Sequence, residues 1–408
     1  MSAAPRHAEG DAPVQVPVDA ARLTEEQASK VKRFALATLG LGLLGSAAGA
    51  AVDSHRFAFS WLIAVTWLVA IGLGALMFVL IQLVTRAGWS VAARRPMEWM
   101  TMTLPVGFVL FLPVLLMAHS IYHHWMGPEA HQDPLLAGKA VWLNPGAFYG
   151  RAVLYFLIWA LIARFVWRNS RAQDESGDPA ITFKLQKWSA PLILVTGLSL
   201  TFASFDWLMS IDPHWYSTIF GVYYFSGAMT AALSVLALVT LLLQTQGLLR
   251  RVSTIEHRHD IGKFLFGFTV FWGYIAFSQF FLIWYANIPE ETGYMHLRWE
   301  EGWRGLSVAL MFARFFIPFV LLLSRTGKRS VPVLAGAAII TLIGHWIDMC
   351  WLVLPSHDEH MHLSWIDVAA WIAGIGALAS VLAYQAARFP LYPLRDPRLA
   401  ETMKVDNP

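Results

Sequence analysis

The sequence predicts an all-α integral membrane protein with about ten transmembrane helices, and three observations carry that reading. Of 408 residues, 57% are hydrophobic and only 14% charged, with 19 Trp and 26 Phe, a balance that a water-exposed globular surface does not accommodate. Apolar runs of about 20 residues, the length that crosses ~30 Å of hydrocarbon, recur along the chain. None shows the alternation that a membrane barrel strand carries over about 10 residues. Backbone polar groups in hydrocarbon are satisfied within the element that carries them, so each run is expected to be a helix.

In order, the runs cover about 33–52, 57–83, 103–123, 148–167, 189–210, 217–244, 261–286, 303–324, 330–354 and 363–387. Residues 1–30 read as a polar N-terminal tail; their first twenty hold no apolar stretch of the signal-peptide kind. Thr24 and Gln27 have capping-box spacing for a helix leading into the membrane. The stretch Asn169–Asp178 reads as a solvated connector, and 124–146 as a longer loop that folds over the membrane face. Residues 391–408 read as a second polar tail, which leaves 31–390 as one membrane domain.

Lys and Arg orient the spans. Connections after spans 2, 4, 6 and 8 hold Arg86, Arg94, Arg95, Arg168, Arg171, Lys184, Lys187, Arg250, Arg251, Arg258, Lys263, Arg325, Lys328 and Arg329. The opposite connections hold only Arg56, Lys139, Arg151, Arg298 and Arg304. The positive-inside rule then places both termini in the cytoplasm. The net charge of +3 is explained by these loops, which points to anionic lipid headgroups and not to nucleic acid. A single cysteine, Cys350, supplies no disulfide, no Cys-rich iron–sulfur motif and no C-x-x-C-H haem attachment, and no metal site is expected.

Polar residues inside the spans are the functional candidates, because a charge at a helix centre costs roughly 2.5–3.5 kcal/mol. Asp206 lies in the last turn of span 5, within DWLMSIDPHWY, and no local structural role accounts for it. Asp212 reads as the cap of the following turn. His119 lies in span 3, and His345 and Asp348 are three apart on span 9, so the latter two share one helix face. An imidazole exchanges protons near neutral pH, which makes these groups candidates for a proton path. Arg314 falls mid-span, beyond snorkelling reach, and requires an anionic or carbonyl partner, with Asp348 and Asp206 as the choices. Tyr274 and Gln279 add polarity to span 7, and Asp367 opens span 10 at a level that suits the same cluster. His119 with His345 meets only the minimum for a bis-His haem, so proton exchange is preferred. A weak echo, Trp and Asp followed by Pro and His, links 205–214 with 345–357 and suggests repeats made of spans 2–5 and 6–9.

Two blocks carry a resemblance. SFDWLMSIDPHWYSTIFGVYYFSG (204–227) and HDIGKFLFGFTVFWGYIAFSQFFLIWYANIPEET (259–292) resemble the ActF-type membrane subunits of bacterial alternative complex III, within the wider polysulfide-reductase/NrfD family. That complex is a quinol:cytochrome c oxidoreductase. The resemblance, over about residues 30–390, implies two four-helix bundles (helices 2–5 and 6–9) flanked by helices 1 and 10. It implies a bacterial inner membrane, an ActC-like sister subunit to which the quinol site is ascribed, and the iron–sulfur subunit ActB. Multihaem and monohaem cytochrome c subunits, small membrane subunits and association with a terminal oxidase are implied as well. Haem c and iron–sulfur clusters would then sit in partners, with menaquinol as the quinol. This chain would be a non-catalytic subunit that conducts protons and scaffolds the complex, or contributes a quinone pocket. A stand-alone secondary transporter and a purely structural scaffold are the competing readings.

Overall fold

The computed structural model describes residues 21–406 except Arg250, Arg251, Glu301 and Glu359. Residues 1–20 of the expected tail, and Arg250 and Arg251 among the orienting arginines, lie outside the described residues. Among those described, ten long apolar helices are arranged as an all-α integral membrane protein. They are α1 (Glu25–Val52), α2 (Ser54–Val84), α3 (Val91–Leu116), α4 (Pro145–Ser176), α5 (Pro179–Trp207), α6 (Phe220–Thr245), α7 (Ile255–Ala286), α8 (Trp303–Leu323), α9 (Val331–Val353) and α10 (Trp365–Arg388).

Their ends follow local chemistry. Thr24 and Gln27 form the expected capping box for α1. Asn144-Pro145 and Asp178-Pro179 start α4 and α5, each polar side chain accepting from a first-turn N–H while proline supplies a preset φ. The stretch read as a connector is helical through Ser176, and Gly177 turns the chain at φ 70°. α3 begins at Val91, well before the apolar run at 103. The hydropathy signal missed its first turns because Arg94, Arg95 and Glu98 lie there, buried.

α2, α3, α4 and α5 close one four-helix bundle and α6, α7, α8 and α9 the other. α2 and α6 meet at the centre, α9 reaches α2, and α5 reaches α6. The α1–α10 pair flanks the first bundle, lying against α2. α2 is therefore covered on every side, and its whole apolar window is buried. Lipid chains are as apolar as leucine, so helices here associate through close packing. Gly74 of α2 lies against the backbone carbonyl of Ala228 on α6, and Gly42 of α1 against the backbone of Ala373 on α10.

The first and last described residues lie on one face, here the terminal face; the other is the distal face. Leu391 N–H donates to the carbonyl of Ala21 at 2.8 Å. The C-terminal segment, expected as a solvated tail, is a docked strap. Leu394 N–H donates to Asp174 at 3.0 Å, Asp396 pairs with Arg94 at 2.7 Å, and Thr402 donates to the carbonyl of Trp89 at 2.6 Å. Leu391, Tyr392 and Leu399 bury themselves against Val91, Trp99 and Leu249, which the short polar sequence around them concealed.

Gly74→Val should force α2 and α6 apart, and overpacking of this kind typically costs about 1–3 kcal/mol. Unfolding temperature in detergent should drop clearly for Gly74→Val. It should change little for Gly40→Ala, where an added methyl meets nothing within 4 Å.

Candidate functional site

α9 supplies two of the site's groups. His345 and Asp348, one turn apart, are 0% and 1% exposed. α8 brings Arg314, 2% exposed, from a π-helical turn over Phe312–Phe316. Such single wide turns recur at functional positions, and Pro318, which cannot donate to the helical ladder, follows directly. Two glycines make room for the guanidinium. A Cβ at Gly344 would come within 3.0 Å of the Arg314 Cδ, and one at Gly227 within 2.9 Å of its Nη2 and 3.7 Å of the His345 ring. α6 adds Tyr223, whose hydroxyl donates to Asp348 Oδ1 at 2.5 Å. Arg314 Nη2 stands 3.4 Å from Asp348 Oδ2, and the Trp272 ring of α7 lies 4.9 Å from the guanidinium.

This cluster is loosely held. Neither His345 ring nitrogen has a hydrogen-bond partner among the described residues, nor does any Arg314 nitrogen. A buried polar group left so costs about 1–3 kcal/mol. Buried, incompletely paired ionisable groups of this kind mark candidate functional sites.

A cavity of about 580 Å³ adjoins the cluster, its polar wall formed by Tyr223, Gln279, Arg298 and Ser307. The rest is apolar, and the exposed side chains of Tyr274, Phe277, Met311 and Phe316 line it on α7 and α8. Arg298, from the short helix Pro289–Trp299, donates to the carbonyls of Tyr294, Trp351 and Leu352 at 2.9, 3.1 and 3.2 Å, which caps the end of α9. Its guanidinium lies 3.4 Å from the Tyr294 ring centroid, and burial pulls its pKa below the ordinary value. Ser307 donates to the Arg298 carbonyl at 2.7 Å and accepts from Trp351 Nε1 at 2.8 Å.

The structure sorts the sequence candidates. Arg314, His345 and Asp348 come together, so Arg314's partner is Asp348 and not Asp206. Gln279 and Tyr274 line the adjoining cavity. Asp206 does not join them, and the expectation that nothing structural accounts for it is overturned. Its carboxylate accepts from Arg151 at 2.7 and 2.9 Å, Trp142 at 2.8 Å and Tyr155 at 2.8 Å. Asp367 is separate too: it takes Arg56 at 2.5 Å and Ser60 at 2.6 Å, and caps α10. Arg56, read as a loop residue, is buried there. His119 is exposed on the first bundle while His345 is buried in the second, so the two cannot ligate one haem.

The repeat reappears as chemistry. In each bundle an Asp on the fourth helix meets an Arg on the third, beside a Tyr and a Trp: Asp206, Arg151, Tyr155 and Trp142 in one, Asp348, Arg314, Tyr223 and Trp272 in the other. Tyr223, Trp272, Arg298 and Ser307 escaped the sequence reading because aromatic and loop residues are ordinary in such a composition. Near the terminal face, Glu98 binds Arg94 at 3.1 Å, Arg95 at 3.3 Å and Ser170 at 2.9 Å. The charge spacing Arg94, Arg95, Glu98 was a usable helix signal. Between this cluster and Arg314, the buried hydroxyls of Thr230, Ser234 and Thr341 each bond back to their own helix.

Asp206→Asn should leave Arg151 without its counter-charge. Breaking a buried pair costs about 3–5 kcal/mol, and the partial exposure of Arg151 puts this case at the low end. The expected result is a lower unfolding temperature with the Asp348 cluster intact. On the distal face, burial, Arg56 and His55 hold His357 down to about 4 from an ordinary 6.5. The folded state thus resists protonation, so this contribution is present above pH 6.5 and is lost progressively as pH falls towards 4. The unfolding temperature should decline across that window, and His357→Phe should flatten the decline between pH 6.5 and 5. No protein-family model matches the sequence, and no curated protein shows significant similarity to it.

Proposed function

We propose that this chain is a non-catalytic integral subunit of a quinol:cytochrome c oxidoreductase of the alternative complex III type. In this reading it sits in a bacterial inner membrane with the terminal face in the cytoplasm. Arg94, Arg95 and Arg56 are buried in ion pairs and so leave the loops of both faces, and the positive bias of the remaining loop residues keeps its direction. The distal face is then the outer one, next to an ActC-like sister subunit, the iron–sulfur subunit and the cytochromes c.

One observation carries the reading: Tyr223 lines an apolar cavity and donates to Asp348, which neighbours Arg314 and His345. Quinol oxidation releases two electrons and two protons. Haem c and iron–sulfur clusters held by partner subunits would take the electrons. A proton reaching the Tyr223 oxygen from the cavity is relayed as the Tyr223 proton passes to Asp348. His345, with both ring nitrogens unengaged among the described residues, is the second acceptor. Arg314 stays charged throughout and supplies the fixed counter-charge. The cavity has the size and apolar wall of a small-ligand site and suits a quinone ring such as that of menaquinol. The first bundle, whose Asp206 is saturated by Arg151, serves as scaffold together with flanking α10, whose Asp367 takes Arg56.

Asp348→Asn and Tyr223→Phe, each in the intact complex, should lower turnover or proton release by about 10²-fold or more, the usual contribution of a positioned proton donor or acceptor. Subunit composition should be unchanged. Wild-type turnover and proton-to-electron ratio in both variants would sink the proposal. Loss of assembly would instead favour a scaffold, and solute movement by the lone polypeptide in liposomes a transporter.

A further inference from the structure

α1 and α3 both pack on α2 yet stand apart, and α10 forms the back of the gap between them. The resulting groove, about 570 Å³, is lined by Leu36 and Leu43 of α1, Pro105 and Leu110 of α3, and Ala377 of α10. Its walls are apolar except at one end. There Lys32, Ser380, Tyr384 and Gln385 line it.

The length of the groove limits what fills it. From Lys32 to Leu43 along α1 is roughly 16 Å at 1.5 Å per residue, about half of a ~30 Å hydrocarbon core. A partner's transmembrane helix would need the full thickness. An acyl chain of one leaflet needs half.

The chemistry at the polar end narrows the choice further. Lys32 is half-buried and has no ion-pair partner among the described residues. Its neighbour Lys30 is paired, with Glu26 at 2.5 Å. Arg388 donates to the Tyr384 hydroxyl, bringing a second cation to the same level. Gln385 is 8% exposed, yet its amide oxygen has no hydrogen-bond partner among the described residues, and neither has the Ser380 hydroxyl. An unpaired cation with unpaired acceptors beside it suits a phosphate whose headgroup also carries hydroxyl donors.

We infer that the α1–α3–α10 groove binds one acidic glycerophospholipid of the terminal-face leaflet, of the phosphatidylglycerol type, with its phosphate on Lys32 and one acyl chain running to Leu43. This inference is independent of the proposed quinol-linked function and rests only on the membrane fold. A lipid held there would complete the packing between the flanking helix pair and the first bundle.

Native mass spectrometry of the full-length chain in detergent, with added phosphatidylglycerol, phosphatidylethanolamine or phosphatidylcholine, tests it. One phosphatidylglycerol per chain should be retained in preference to the other two. Lys32→Glu should weaken that retention about tenfold or more, as expected for reversing a charge at a headgroup. Val106 of α3 also lines the groove, so Val106→Trp should displace the lipid by filling it, with no change in charge, and Lys30→Glu should retain it. An unchanged helical content by circular dichroism in each variant shows that the fold persists. Equal retention of the three lipids, or wild-type retention in both Lys32→Glu and Val106→Trp, would overturn the inference.

Discussion

A charge inside hydrocarbon has to find its partner within the protein, and most of this structure follows from how five buried arginines do so. Arg56 meets Asp367 at 2.5 Å, Arg94 meets Asp396 at 2.7 Å, and Arg95 meets Asp174 at 2.5 Å. Arg298 has no carboxylate partner among the described residues but takes three backbone carbonyls. Each of these ties distant segments together: α2 to α10, α3 to the C-terminal strap and to α4, and the distal short helix to the end of α9. Arg314 differs. Its nearest carboxylate oxygen is at 3.4 Å and its nitrogens are otherwise without hydrogen bonds among the described residues.

The contrast between the two bundles gives that difference its meaning. The Asp206 site and the Asp348 site use the same residue types, with the Asp and the Arg on corresponding helices. One is closed by four short hydrogen bonds. The other is left open beside a cavity. A buried ion pair adds little net stability over apolar packing of the same shape, because desolvation offsets attraction. An incompletely paired one is therefore hard to explain by stability alone. Its position beside Tyr223 and the cavity fits the proton relay proposed for it.

Close packing sets the geometry that makes this possible. With no hydrophobic drive between helices in lipid, α2 and α6 approach through Gly74 and Ala228, and Gly227 with Gly344 clear the volume that Arg314 and His345 share. The π-helical turn at Phe312–Phe316 carries Arg314.

Much of the scaffold was legible in one dimension, because the bilayer imposes a length and a polarity on each span. The ten helices, the capping box at Thr24 and the shared face of His345 and Asp348 all follow from hydropathy and helical spacing. Hydropathy did not show the start of α3, the docked strap or the burial of Arg56. Each depends on a carboxylate or an apolar face far away in sequence: Asp396 for Arg94, Asp367 for Arg56, Val91 and Trp99 for Leu391 and Tyr392. The choice between Asp206 and Asp348 was hidden for the same reason. Sequence marked both as costly charges. Only the tertiary structure decided that Arg151, Trp142 and Tyr155 saturate the first while the second faces a loosely paired arginine and a cavity. Burial is a local cost that composition reveals; its compensation is a contact, and contacts exist only once the helices are packed.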